Sequence, residues 1–172
     1  MNCILRSYNA RQAYQYGKDI TPVQRIIMAR SDPLVHTEFE FSERQDGISF
    51  SSTMQDDVSG CRFKQISYSH PLRWTSIVLP MTDEQEDRAW ERAIELEGKK
   101  YDLIGLAGFG SEWDIVKPHP DKYWCSEAVA ELIKAAYEYD IPRWPTKPVD
   151  LFIPHRFHPN GLFFEMYRRL TS

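Results

Sequence analysis

Lys122-Tyr123-Trp124-Cys125-Ser126-Glu127-Ala128-Val129-Ala130-Glu131-Leu132-Ile133 is the stretch around which the 172-residue chain is organised. A short aromatic run ends in a cysteine, and apolar residues then recur at helical spacing. Ala128, Val129, Leu132, Ile133, Ala136 and Tyr137 share one face. The pattern predicts an amphipathic helix reaching about Tyr139, with Cys125 at its cap or first turn. Helix starts present unpaired backbone N–H groups and the positive end of the helix dipole. A thiol in such a position ionises more readily, and the thiolate is the nucleophile. The same N–H groups can hold an oxyanion. A nucleophile of this kind needs a histidine from elsewhere in the fold. The plain alternative is a small buried hydrophobe leading into an apolar helix.

Composition narrows the setting. With 42% hydrophobic and 13% aromatic residues, the chain suits one domain, residues 1–172, with a sizeable core. A net charge of −4 argues against a nucleic-acid partner held through phosphates. Cys3, Cys61 and Cys125 are odd in number and form no CxxC pair, so neither a disulfide framework nor a zinc site is expected. The N-terminal residues lack the apolar core of a secretory signal, and no stretch reaches transmembrane length. The expectation is a cytoplasmic protein without a membrane span, in a reducing compartment.

Along the chain, Ile4 and Leu5 either begin a short strand or belong to a loose arm over residues 1–20. Thr21-Pro22 has the form of a helix start. From His36 to Phe41 the residues alternate as in a strand, with His36, Glu38 and Glu40 on one face. Arg44-Gln45-Asp46-Gly47 is a hairpin turn and residues 48–53 the return strand. Further strands are expected over 62–66 and 75–80, paired antiparallel. Thr82-Asp83-Glu84-Gln85 is a capping box opening a helix that stops at Gly98. Its Glu86, Glu91 and Glu95 read as a solvated face. Residues 101–110 read as a packed loop or a short tight helix, and their glycines lack phosphate-loop spacing, which argues against a nucleotide cofactor. Residues 141–172 form a proline-rich tail returning to the sheet edge, with a last strand near 161–167.

A thiolate needs a base, and the base an orienting group. His36 is the best-placed base, because two carboxylates share its row. Successive positions in that row are about 6.6 Å apart, within reach of a glutamate side chain. Glu38 is the orienting candidate, with Glu40 or a residue in 51–56, such as Asp56 or Gln55, as alternatives. The competing reading of His36 is a surface-facing strand histidine beside two solvated glutamates. His70, His119, His155 and His158 sit beside prolines or in loops, and no acidic or cysteine neighbours complete a metal set around His155 and His158.

Four segments together resemble a known family. They are His36-Thr37-Glu38, Ser51-Ser52 through Gly60-Cys61-Arg62-Phe63-Lys64 with Arg73-Trp74, Gly98-Lys99-Lys100-Tyr101-Asp102, and Trp124-Cys125-Ser126-Glu127. In this order, over about residues 17 to 135, they look like the circularly permuted branch of the NlpC-type papain-like superfamily. That branch includes lecithin retinol acyltransferase-like proteins and the bacterial YaeF/YiiX-like group. The resemblance implies an α+β fold, a small antiparallel barrel-like sheet against the cysteine helix. It also implies Cys125 as nucleophile, His36 as base and Glu38 as orienter. Ser126, Trp124, Tyr101 and Ser51 are the candidate cleft or oxyanion residues. Ser126 doubles as a helix-start residue, and the Trp124 indole N–H requires a partner if it is buried. The expected activity is a cysteine hydrolase or acyl transfer on an amide, peptide, ester or thioester bond. A hydrophobic C-terminal anchor like that of the lipid-acting relatives is not expected here. The alternative is an inactive binding protein that uses the same cleft.

Overall fold

The computed structural model describes residues 2–31, 33–54, 59–108, 119–138 and Leu151. Its elements are β1 (Asn2–Asn9), α1 (Ala10–Gln15), α2 (Pro22–Ser31), β2 (Leu34–Phe41), β3 (Ile48–Thr53), β4 (Gly60–Gln65), β5 (Trp74–Pro80), α3 (Asp83–Leu96), α4 (Leu103–Gly108) and α5 (Cys125–Tyr137). The protein is α+β, with one five-stranded antiparallel sheet in the order β4-β3-β2-β1-β5.

The N-terminal residues are a strand rather than a loose arm. β1 pairs with β2 on one side and β5 on the other, because Cys3, Leu5 and Ser7 alternate into the buried layer. The expected barrel-like closure does not occur. β4 and β5 remain the two edges of an open sheet. At the Gly60 end, the β4 edge is taken instead by the chain after α3. Cys61 N–H donates to Lys99 O at 2.8 Å, and Gly98 N–H to Cys61 O at 3.0 Å. That approach needs glycine at 60, where φ is +134° and a Cβ would lie 2.2 Å from Lys99 O.

The capping box at Thr82 and the helix start at Thr21 both form as read from sequence. Thr82 Oγ1 accepts from Gln85 N–H at the start of α3, and Thr21 Oγ1 accepts from Gln24 N–H at the start of α2. The core lies between one face of the sheet and helices α3 and α5. Leu5, Phe39, Phe41 and Phe50 meet Ala93, Leu96, Val129, Leu132 and Ile133 there, and Leu151 joins them. Each large aliphatic side chain buried so completely contributes roughly 1.5–3 kcal/mol, enough to fix α5 against β2 and β3. Glu86 does not belong to a solvated face. It is 1% exposed, and its Oε1 accepts from Arg44 Nε at 2.9 Å. Residues 139–150 and 152–172, including the expected last strand, lie outside the described residues. Among the described residues, no helix is long and apolar enough to cross a membrane.

Candidate active site

The opposite face of β2 is polar, as its alternation requires. His36, Glu38 and Glu40 point away from Phe39 and Phe41. His36 Nε2 meets Glu38 Oε1 at 2.7 Å. Glu40 is taken up elsewhere, by the Arg6 guanidinium on β1. Asp56 and Gln55 lie outside the described residues.

Glu38 is 1% exposed, and an isolated carboxylate so buried is costly. The compensating charge is Arg62 on β4. Its Nη1 donates to Glu38 Oε2 at 2.9 Å and its Nη2 to Oε1 at 2.6 Å, a bidentate clamp. β3 lies between these strands. The position it places beside Arg62 is Ser51, and continuing the Phe39↔Phe50 register by one residue puts Ser51 opposite Glu38 as well. A small side chain there lets the guanidinium reach across. Burial pushes the Glu38 carboxyl up, but the Arg62 hydrogen bonds and the His36 charge outweigh it and hold it below the ordinary range.

The β2–β3 ladder covers Phe39↔Phe50 to Phe41↔Ile48 and stops, although both strands continue toward His36. Side-chain bonds replace it. Ser51 Oγ donates to Thr37 O at 2.6 Å, and Ser52 Oγ to Tyr123 O at 2.6 Å. The chain before α5 is therefore held against the end of β3. Tyr123 N–H also donates to Lys100 O at 3.0 Å, which ties it to the segment after α3. On the other side of β2, Ser7 Oγ donates to His36 O at 2.7 Å.

These contacts carry Cys125 to His36. It is the first residue of α5, and its thiol interacts with the His36 ring. Glu38 occupies Nε2 of that ring. Burial pulls the imidazole down, but Glu38 and the Cys125 contact outweigh it and push His36 up to about 9. Tyr101 stands close enough for burial, followed by the charges of Cys125, Glu127 and Asp102, to raise its hydroxyl well above the usual tyrosine range. Trp124 is 1% exposed and packs with Ala10, Ile27, Val35 and Leu106 in a second apolar cluster. Its indole N–H donates to Ser126 Oγ at 3.0 Å. Gly105 lies against that indole, where a Cβ would come within 2.7 Å of the ring.

Of the residues singled out from sequence, Cys125, His36, Glu38 and Tyr101 come together. Trp124 and Ser126 lie beneath them. Ser51 is buried, and its hydroxyl proton goes to backbone carbonyls, so it works as a spacer and brace rather than as a cleft donor. Arg62 had no assigned role in the sequence reading. The available signal was the need of a buried glutamate for a cation. Among the described residues, no three His, Cys, Asp or Glu side chains cluster to hold a metal ion.

No protein-family model, curated protein or solved structure matches this chain. The chemistry is therefore argued from the arrangement itself. Two hollows meet at His36. One of about 430 Å³ is walled by polar groups including Glu38, Arg62, Lys64 and Gln65. The other, about 180 Å³, lies toward α2 and Tyr101.

Proposed function

We propose that this chain is a cysteine hydrolase or acyltransferase of permuted papain-like type, acting on an amide, peptide, ester or thioester bond through an acyl-enzyme on Cys125. The observation that carries this reading is His36, bonded to Glu38 and interacting with the Cys125 thiol at the first position of α5. The thiol proton passes to His36, and the thiolate adds to the carbonyl carbon. The oxyanion faces the Cys125 backbone N–H, with the Tyr101 hydroxyl as a neighbouring donor. Collapse breaks the bond to the leaving group, which takes its proton from the imidazolium. Water, or an amine or alcohol acceptor, then gives a proton to His36 and releases the acyl group from sulfur. Arg62 keeps Glu38 ionised, and Glu38 keeps the imidazole oriented and charged. Three cysteines without a disulfide are in keeping with a reducing compartment, and a cytoplasmic site of action belongs to the same proposal.

One observation favours a second reading, a non-catalytic binding protein using the same cleft. The Cys125 residue is only 2% exposed. Intact-mass analysis after mixing with p-nitrophenyl butyrate separates the two. The enzyme gains one butyryl group, mapped to the Cys125 peptide and absent from Cys125→Ala. A protein that gains none, or gains it equally in Cys125→Ala, is not a Cys125 acyl-enzyme.

A further inference from the structure

Asp102 is a buried carboxylate that the mechanism above leaves unused. It is 1% exposed, and among the described residues it has no ion-pair partner. Two backbone donors take the place of a cation. Gly105 N–H donates to its Oδ1 at 2.9 Å, and His119 N–H to its Oδ2 at 3.0 Å. Its own N–H donates to Tyr123 O at 3.3 Å, and its carbonyl accepts from Leu106 N–H at 3.1 Å. One residue thus ties α4 to the chain that runs from His119 through Tyr123 into Cys125. The tie is close-packed. A Cβ on Gly105 would lie 2.4 Å from Asp102 Oδ2 and 2.7 Å from the Trp124 ring. The residue before Asp102 is Tyr101, which interacts with Cys125 and whose hydroxyl makes no hydrogen bond among the described residues. The place of that hydroxyl is therefore set by packing and by the backbone at 101–102.

From this geometry we infer that Asp102 is a positioning residue for the oxyanion site, aligning the Tyr101 hydroxyl with the Cys125 backbone N–H. The inference rests on the acyl-enzyme reading above. The two donors belong to different segments of the chain, and an oxyanion is held only where both converge on one point. Asp102 spans those segments. Its peptide fixes Tyr101, and its carboxylate holds the chain that leads into α5. A carboxylate is the group this place requires. Both of its partners are N–H donors, and a carboxylate accepts from both. An asparagine accepts through one oxygen and turns an NH2 group toward the other N–H. Asp102→Asn therefore removes one of the two side-chain bonds with little change in shape.

The test compares two reactions of Cys125 in wild type, Asp102→Asn, Tyr101→Phe and the double variant. Acylation by p-nitrophenyl butyrate passes through an oxyanion. Alkylation by iodoacetamide needs the thiolate but forms none. Asp102→Asn is expected to slow acylation roughly 10- to 100-fold, the scale of a small misplacement, and to leave the pH profile of alkylation unchanged. Tyr101→Phe slows acylation by roughly 10²-fold, as loss of one oxyanion donor does. In that background Asp102→Asn costs no more than about twofold further, because no hydroxyl remains to align. Unchanged acylation in Asp102→Asn, equal slowing of both reactions, or an undiminished loss in the Tyr101→Phe background overturns the assignment. Where Asp102→Asn does not fold, His119→Pro takes its place with the same expectations. It deletes the N–H bonded to Oδ2 at a position that Pro120 already biases toward extended backbone. A wild type that is alkylated but never acylated is a different failure, since it removes the acyl-enzyme itself and the inference with it.

Discussion

His36→Ala slows acylation of Cys125 by roughly 10²- to 10⁴-fold, the range lost with a positioned acid–base group, and the protein stays folded. Folding is expected to survive because Glu38 keeps its bidentate clamp from Arg62 when the imidazole is removed. The effect on rate is large because His36 serves both halves of the reaction, taking the thiol proton and then protonating the leaving group. Its raised pKa sets the pH dependence. The folded state favours the imidazolium, so that stabilisation is fully present below roughly 6.5 and is lost as pH rises through about 9. With a methyl ester or amide, whose leaving group must be protonated, acylation in wild type falls over the same range. His36→Ala has no such alkaline limb. Stopped-flow or quenched mass measurements from pH 6 to pH 10 check both statements.

Glu38→Leu is expected to be the most destabilising single change at the site, costing roughly 3–5 kcal/mol, because it strands a partly buried guanidinium. Glu38 is 1% exposed and Arg62 13%, so little water is available to replace the carboxylate. The companion double variant Glu38→Leu with Arg62→Met removes both charges and recovers most of that loss, measured as urea midpoints. It does not restore His36. Without Glu38, burial acts on the imidazole against the Cys125 contact alone, and the histidine titrates well below its wild-type position in both variants by NMR. If stability and His36 titration recover together in the double variant, Glu38 does not orient and charge the histidine.

Local patterns carried much of this molecule. The period of Ala128, Val129, Leu132 and Ile133 gave α5 and set Cys125 at its start. The alternation from His36 to Phe41 gave β2 and put His36 and Glu38 in one row. The capping box at Thr82 and the helix start at Thr21 lie in short windows and form as read. What escaped depends on partners distant in sequence. Arg62 reaches Glu38 across Ser51, a relation fixed by strand order and register rather than by any window around either residue. Glu86 has the spacing of an outer-face glutamate, and only Arg44, from the β2–β3 turn, makes its burial tolerable. The strand at 2–9 is short of alternation signals because Arg6 and Ser7 interrupt its apolar residues, yet it lies between β2 and β5. The approach of the chain after α3 to the β4 edge was equally hidden, since it turns on Gly60 admitting Lys99 there.

The most direct measurement is the rate at which iodoacetamide modifies Cys125 as a function of pH, read by peptide mass, in wild type and His36→Ala. Mapping the peptide leaves Cys3 and Cys61 in place, which matters because both are buried in the core. The expected result is rapid modification of the folded wild type at pH 7, lost in His36→Ala, where reaction returns only at more alkaline pH. Identical profiles in the two proteins, or a Cys125 that stays unmodified while the protein is folded, would contradict a Cys125–His36 ion pair and with it the acyl-enzyme.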